Sequence, residues 1–162
     1  MDKLFLLDAY ALIYRAYYAF IKNPRINSKG MNTSAIMGFV NTINDVITRE
    51  KPTYIGVAFD PVGPTFRHEI YPEYKAQREE TPEAIRLSVP IIKDIISAYR
   101  IPILEVQGFE ADDVIGTLAT QAGKQGINTY MMTPDKDYGQ LVGEHVFMYR
   151  PKYGDKEFDI MG

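Results

Sequence analysis

Carboxylates recur in this chain at the ends of apolar runs. Asp8 ends Leu4-Phe5-Leu6-Leu7, and Asp60 ends Ile55-Gly56-Val57-Ala58-Phe59. Glu110, Asp112 and Asp113 follow Ile103-Leu104-Glu105-Val106, and Asp135 and Asp137 follow Thr129-Tyr130-Met131-Met132. If these runs are strands of a parallel α/β sheet, their carboxyl ends share one edge, and that edge is where sites form. Two unit charges about 4 Å apart repel by roughly 4 kcal/mol at an effective dielectric near 20. Protonation or a cation relieves such crowding. Oxygen donors of this kind suit a hard divalent ion of the magnesium type.

Each acid also has a plainer role. Asp8 could cap a helix starting at Ala9, and Asp60-Pro61 could form a turn. Glu110, Asp112 and Asp113 favour the positive end of a helix, and Asp135 could cap one near Lys136. One at a time these roles suffice. Together they leave unexplained why so many acids end strands that a parallel sheet would make neighbours.

Other chemistries lack their residues. The 162 residues include no cysteine, so disulfides, thiolate metal sites and cysteine nucleophiles are excluded. The only histidines, His68 and His145, lie far apart in sequence. There is no Gly-rich dinucleotide loop, no phosphate loop ending in Gly-Lys-Ser or Gly-Lys-Thr, and no Gly-x-Ser-x-Gly elbow. Asp8-Ala9-Tyr10 lacks the second acid of an Asp-x-Asp phosphotransfer motif. The length suits one domain, and 46% hydrophobic residues allow a sizeable core. No apolar run approaches a membrane span, and Met1-Asp2-Lys3 lacks a signal-peptide layout, so a cytoplasmic protein is expected.

The elements that must position the acids follow from periodicity. Strands are expected at Leu4–Leu7, Tyr54–Phe59, Ile101–Val106, Asn128–Met132 and Val146–Tyr149. Helices are expected at Ala9–Phe20, from Asn32 or Thr33 to Lys51-Pro52, from Thr81-Pro82-Glu83 onward, and at Ala111–Gln121. In the third helix Thr81 should cap, Pro82 should take the first turn, and Pro90 should kink or divide the helix. Ile91, Ile92, Ile95, Ile96 and Tyr99 should supply its buried side. Alternating strands and helices imply an α/β protein: a three-layer, mostly parallel twisted sheet with helices on both faces. Tyr10, Tyr14, Tyr17 and Tyr18 crowd the first helix, where packing is the simpler role. Arg15 lies two turns after Asp8, suited to a salt bridge or a phosphate.

The net charge of −3 hides a separation of charge. Arg67, His68, Lys75, Arg78 and Arg86 gather in one central stretch, beside acids placed elsewhere, and such a pairing could hold a polyanion. Residues 61–80 are too long for an ordinary connector and are expected to be functional or mobile. Lys75 and Arg78, three apart, would share a helical face and could clamp a phosphate.

These segments together resemble a known family, the N-terminal 5′-nuclease domains of bacterial DNA polymerases I. The run Leu6 to Tyr17 is similar to the family's opening, and Asn27-Ser28-Lys29-Gly30 through Gly38-Phe39-Val40 continues it. Ala58-Phe59-Asp60, Gly63 to Glu69, and Tyr71-Pro72-Glu73-Tyr74-Lys75-Ala76 through Arg78 to Glu83 follow. Glu110-Ala111-Asp112-Asp113-Val114-Ile115-Gly116-Thr117-Leu118-Ala119 is the most telling string, and Asp135-Lys136-Asp137 with Gln140-Leu141-Val142 comes next. The resemblance implies a PIN-like fold that cuts DNA at 5′ ends and 5′ flaps, in primer removal, nick translation and repair. It implies two divalent cations, Mg2+ with Mn2+ able to substitute, held by Asp8, Asp60, Glu110, Asp112, Asp113, Asp135 and Asp137, directly or through water. Lys75 and Arg78 match the catalytic basic residues of the arch that passes the 5′ end, and Arg15, Arg67 and Tyr74 join them in contacting DNA. The implied partners are DNA and a covalently linked polymerase domain, with no membrane, and the protein is expected to be a monomer.

The chain departs from the family pattern in three places. Ala9 stands where glycine is usual after the first aspartate, and Pro134 where glycine precedes Asp-Lys-Asp. The family continues into a helix-three-turn-helix and two further aspartates, which Asp155 and Asp159 do not match. Residues 1–162 are therefore expected to be a nuclease-core fragment, its tail from Lys152 to Gly162 reading as a cut. Two alternatives share parts of the pattern: a stand-alone PIN-type ribonuclease, and a structure-specific DNA-binding module whose acids are mostly caps.

Overall fold

Strand alternation, with side chains pointing to opposite faces at every step, sorts the core into two halves. A computed structural model describes residues 2–60, 82–133, 145–151 and 158–161. In β1 (Lys3–Asp8), Phe5 and Leu7 pack on one face of the sheet while Leu4 and Leu6 pack on the other. In β2 (Tyr54–Ala58), Val57 faces with the first pair and Ala58 with the second. Three helices cover the first face: α1 (Ala9–Ala19), α2 (Ser34–Glu50) and α3 (Glu83–Ala98). The second face is covered by α4 (Ala111–Lys124), through Ala111, Ile115 and Ala119. The three-layer α/β arrangement is the one expected.

The sheet is completed by β3 (Ile103–Leu104), β4 (Asn128–Met132), β5 (Val146–Pro151) and β6 (Phe158–Met161). Its order is β3-β2-β1-β4-β5-β6. The first five strands are parallel, and β6 runs antiparallel to β5. The order reverses at β1. The chain moves outward through β2 and β3, then returns across the opposite face by α4 to place β4 on the other side of β1. In open α/β sheets the crevice at such a reversal, outside the carboxyl ends of the strands, is the usual ligand position. Asp8 ends β1 at that crevice.

Several elements differ from expectation. β3 is only two residues long, because Ile101 and Pro102 precede its pairing and the chain turns away after Leu104. α3 begins at Glu83 with Pro82 in the cap position, its ψ of 139° extended, and the Pro82 carbonyl accepts from Ile85 and Arg86. Thr81 lies outside the described residues. α3 runs undivided through Pro90. Its buried stripe is Ile85, Ser88, Ile92 and Ile96, while Ile91 and Tyr99 are exposed. Four isoleucines within six positions cannot all face inward on a helix, and only those in phase with Ile85 do. Thr33 is the cap residue of α2 but its side chain makes no capping bond; Asn32 Oδ1 instead accepts from the Ser34 amide at 3.0 Å. β6 forms within the tail that the sequence reads as polar and turn-rich. The expected mobility of residues 61–80 falls outside the described residues.

Two contacts fix the helical layer. A Cβ added to Gly38 of α2 would lie 2.5 Å from Ala16 Cβ of α1, so glycine there allows the two helices to close. At the far side of the sheet, Tyr149 of β5 is fully buried and donates to Glu50 Oε2 at 3.0 Å, while Lys3 Nζ pairs with Glu50 Oε1 at 3.6 Å. Burial, then the Glu50 carboxylate, pushes the Tyr149 hydroxyl well above its ordinary value of 10.0.

The Gly38→Ala variant should lose about 1–3 kcal/mol in urea unfolding, because neither Ala16 nor the helix backbone can retreat cheaply. Tyr149→Phe should lose about 1–3 kcal/mol near neutrality, as Glu50 loses a buried donor. Unfolded tyrosine ionises near pH 10 while folded Tyr149 keeps its proton, so the folded state binds more protons and stability falls as pH rises. The gap between Tyr149→Phe and the native chain should therefore stay constant up to about pH 9 and narrow as pH rises above about pH 10.

Candidate functional site

The strand parity that sorts the core also sorts the acids. Leu4, Leu6 and Asp8 alternate along β1, and Leu4 and Leu6 pack toward α4, so Asp8 ends the strand on the α4 side. Asp8 aligns with Ala58 of β2, and Asp60 follows two residues later on the same side. Asp60 Oδ1 accepts a hydrogen bond from the Ala111 amide at 2.7 Å, which joins the end of β2 to the first residue of α4. The two ends of this bond are far apart in sequence, so it is a tertiary contact rather than a local cap.

The start of α4 is itself acidic. Glu110 is the cap residue and is 2% exposed. Glu110 and Asp113 form a reciprocal capping box, with the Glu110 amide donating to Asp113 Oδ2 at 3.1 Å. Asp112 lies in the same turn and is partly buried. The amide groups of this helix end carry partial positive charge and favour the carboxylates around them. Asp8 in turn caps α1, its Oδ1 accepting from the Ala11 amide at 3.4 Å. Each plain role read from the sequence for Asp8, Glu110 and Asp113 is thus present. Asp60 bonds a helix start too, one distant in sequence, and the turn expected at Asp60-Pro61 extends outside the described residues.

Asp8, Asp60 and the first turn of α4 therefore meet at one edge and on one face of the sheet. Among the described residues, however, no three acidic or histidine side chains come close enough together to hold a metal ion. Arg15 lies partly buried on α1, about 10 Å along the axis from Asp8. His145 faces Asn128, with Nδ1 3.1 Å from its Oδ1, away from the acids in the fold's connectivity. Asp135, Asp137, Arg67, Tyr74, Lys75 and Arg78 lie outside the described residues.

Two residues at this edge carried no signal in the sequence reading. Thr133 follows β4 and is fully buried. Lys93 of α3 reaches Glu105 Oε1 at 2.8 Å and lies 4.9 Å from the centre of the Phe59 ring. Its partners stand twelve or more positions away and on other elements, where helical spacing gives no hint.

The model of the 5′-3′ exonuclease, N-terminal resolvase-like domain matches residues 3–161. DNA polymerase I of Treponema pallidum is 42% identical over 147 residues, covering 91% of this chain and 15% of that protein. The 5′-3′ exonuclease of Aquifex aeolicus is 40% identical over 151 residues, covering 93% of this chain and 52% of that protein. The chain thus spans about half, or much less, of the length of these relatives. Among solved structures, the flap endonuclease of bacteriophage T5 in complex with DNA and metal ions superimposes with a TM-score of 0.66 at 20% identity. That likeness covers 92% of this chain and 55% of the other, and it concerns the fold.

The Asp60 bond has a measurable share in folding. Asp60→Ala should cost about 1–2 kcal/mol in chemical unfolding, as the Ala111 amide loses its acceptor. Asp60→Asn keeps an oxygen at the same place and should cost less than about 1 kcal/mol. Equal losses in the two variants would mean that charge rather than the hydrogen bond holds the two segments together.

Proposed function

The chain belongs to the 5′-3′ exonuclease, N-terminal resolvase-like domain family, and from that premise we propose that it is the nuclease core of a DNA polymerase I. In this reading residues 1–162 are one domain of a longer, monomeric, cytoplasmic protein. Its substrate is DNA with a 5′ end or 5′ flap, and its reaction is hydrolysis of a phosphodiester during primer removal, nick translation and repair. The observation that carries the reading is the shared edge and face of Asp8, Asp60 and the acidic first turn of α4, beside the reversal of strand order.

The donor set fits hard divalent cations. It consists of carboxylate oxygens in a chain with no thiolate, which suits Mg2+, with Mn2+ able to replace it. Asp8, Asp60, Glu110, Asp112 and Asp113 would hold such ions together with Asp135 and Asp137, directly or through water. When bound, two ions supply an activated water and neutralise charge on the attacking and leaving oxygens. Capping does not preclude ligation, because an ionised carboxylate has two oxygens and about four lone-pair sites. Lys75 and Arg78 would neutralise the non-bridging oxygens of the scissile phosphate. Arg15, Arg67 and Tyr74 would hold the DNA strand. Water attacks phosphorus, the bond to the 3′ oxygen breaks, and the products are a 5′-phosphate and a 3′-hydroxyl.

One observation favours a second reading. Asp8, Asp60 and Asp113 each accept an amide hydrogen bond at a helix start, the plain structural role of such acids. A structure-specific DNA-binding module would need no more than that.

Asp113→Asn separates the two. The amide oxygen can still accept the Glu110 N–H, so the helix start survives, but the charge is lost. In the full-length protein, flap cleavage should fall about 10²-fold or more while DNA affinity stays nearly constant. Chelation of divalent ions should abolish cleavage of the native protein. Undiminished cutting by Asp113→Asn would remove Asp113 from the metal set. Absence of cutting by the native protein at any Mg2+ or Mn2+ concentration would favour the binding module.

A further inference from the structure

The two acid-bearing segments on either side of the Asp60–Ala111 bond have little support from the sheet. β3 contributes two residues, paired as Val57↔Ile103 and Ala58↔Leu104. The Val57 and Phe59 amides donate to the Pro102 and Leu104 carbonyls at 3.1 and 2.9 Å, and β3 is the edge of the sheet. After Leu104 the chain runs through Glu105 and a turn at Gly108, with φ of 87°, to reach Glu110. Val106 and Phe109 in this connection are exposed. A short edge strand followed by an exposed turn is a weak mount for the first turn of α4.

Lys93 braces this mount from the opposite layer. Its ammonium donates to Glu105 Oε1 at 2.8 Å and lies 4.9 Å from the centre of the Phe59 ring. Phe59 is the residue before Asp60, and it is fully buried, with Tyr10 edge-on at 5.8 Å. Glu105 is the residue after β3. One cation thus touches the exit of β2 and the exit of β3 at once. The pair's side chains are 31% and 28% exposed, so it is screened less than a surface pair and desolvated less than a buried one. Lys93 also neutralises Glu105, which would otherwise add a carboxylate to an edge already rich in them.

We propose that Lys93 is a positioning residue, which locks the ends of β2 and β3 together and so sets the separation between Asp60 and the first turn of α4. Its consequence for metal affinity rests on the nuclease reading above; its mechanical consequence does not. Among the described residues the carboxylate that Lys93 pairs with is Glu105, which is not assigned to the metal set. It acts on Asp60 through Phe59 and on Glu110 through Glu105.

The variants are Lys93→Met, which keeps the apolar stem against Phe59, Lys93→Arg, which keeps the charge and can stack on the ring, and Glu105→Gln. Amide hydrogen exchange of the whole chain is read at Ala111, whose N–H is bonded to Asp60, and at Leu6 in central β1 as a reference. In Lys93→Met the Ala111 amide should exchange about threefold faster or more relative to Leu6. Lys93→Arg should restore it, and Glu105→Gln should add little to Lys93→Met. Mn2+ binding followed by electron paramagnetic resonance should show a half-saturation about tenfold higher in Lys93→Met, restored in Lys93→Arg. Unchanged exchange at Ala111 in a folded Lys93→Met would overturn the proposal, as would equal acceleration at Ala111 and Leu6. Faster exchange at Ala111 with no Mn2+ bound by any version would support the brace and count against the metal reading instead.

Discussion

A carboxylate of one strand end accepting the amide of a helix that begins about fifty residues later is the contact on which this edge depends. Asp60 and Ala111 are held 2.7 Å apart, donor to acceptor, and through them β2 is tied to α4. α4 is the only described helix on its face of the sheet, and it packs there by Ala111, Ile115 and Ala119. Its position therefore decides where Glu110, Asp112 and Asp113 stand relative to Asp8 and Asp60. Strand parity supplies the other half of the constraint. A one-residue slip in β1 would send Leu4 and Leu6 to the wrong layer and carry Asp8 with them. The hydrophobic core thus fixes the side of the sheet on which the acids emerge.

The acids are stabilised by the same feature that gathers them. Glu110 is nearly inaccessible to solvent, a costly place for a carboxylate unless it is hydrogen-bonded or paired. The amide-rich start of α4 offers both donors and positive potential. Structural and chemical roles are not rivals here. A capping bond takes one lone-pair direction and orients the group, leaving further acceptor capacity. Orientation by a bonded neighbour is what outer partners of metal ligands ordinarily provide. The two readings of these acids diverge only in whether a cation uses the remaining capacity.

Most of the fold was legible because its signals are local. The apolar run Leu4–Leu7 followed by Asp8 marks a buried strand and its end, and Ala111 with two acids in its first turn marks a helix start. The phase of α3 was less legible: a run of isoleucines fits several helical faces, and burial of Ile92 and Ile96 in the core that also holds Ile43 and Val46 of α2 chooses one. β6 was missed because Phe158–Met161 gains strand character only by pairing with β5. At the site, acids at strand ends could be read as neighbours from the parallel order alone. The Asp60–Ala111 bond could not, since no local pattern marks which amide a strand-end carboxylate will reach.

Lys93 illustrates the limit most sharply. In the sequence it is one cation between Ile92 and Asp94 on a helix with an ordinary polar face. In the fold it is the one point described where the helical layer grips both strand exits leading to acids, by charge at Glu105 and by the ring of Phe59. An edge strand of two residues has too few backbone bonds to hold a loop in register, and side chains from the adjacent layer must make up the difference. The placement of carboxylates at this edge is accordingly a property of three layers acting together. α4 presents the acids, the sheet orders them by parity and register, and α3 steadies the weakest strand between them.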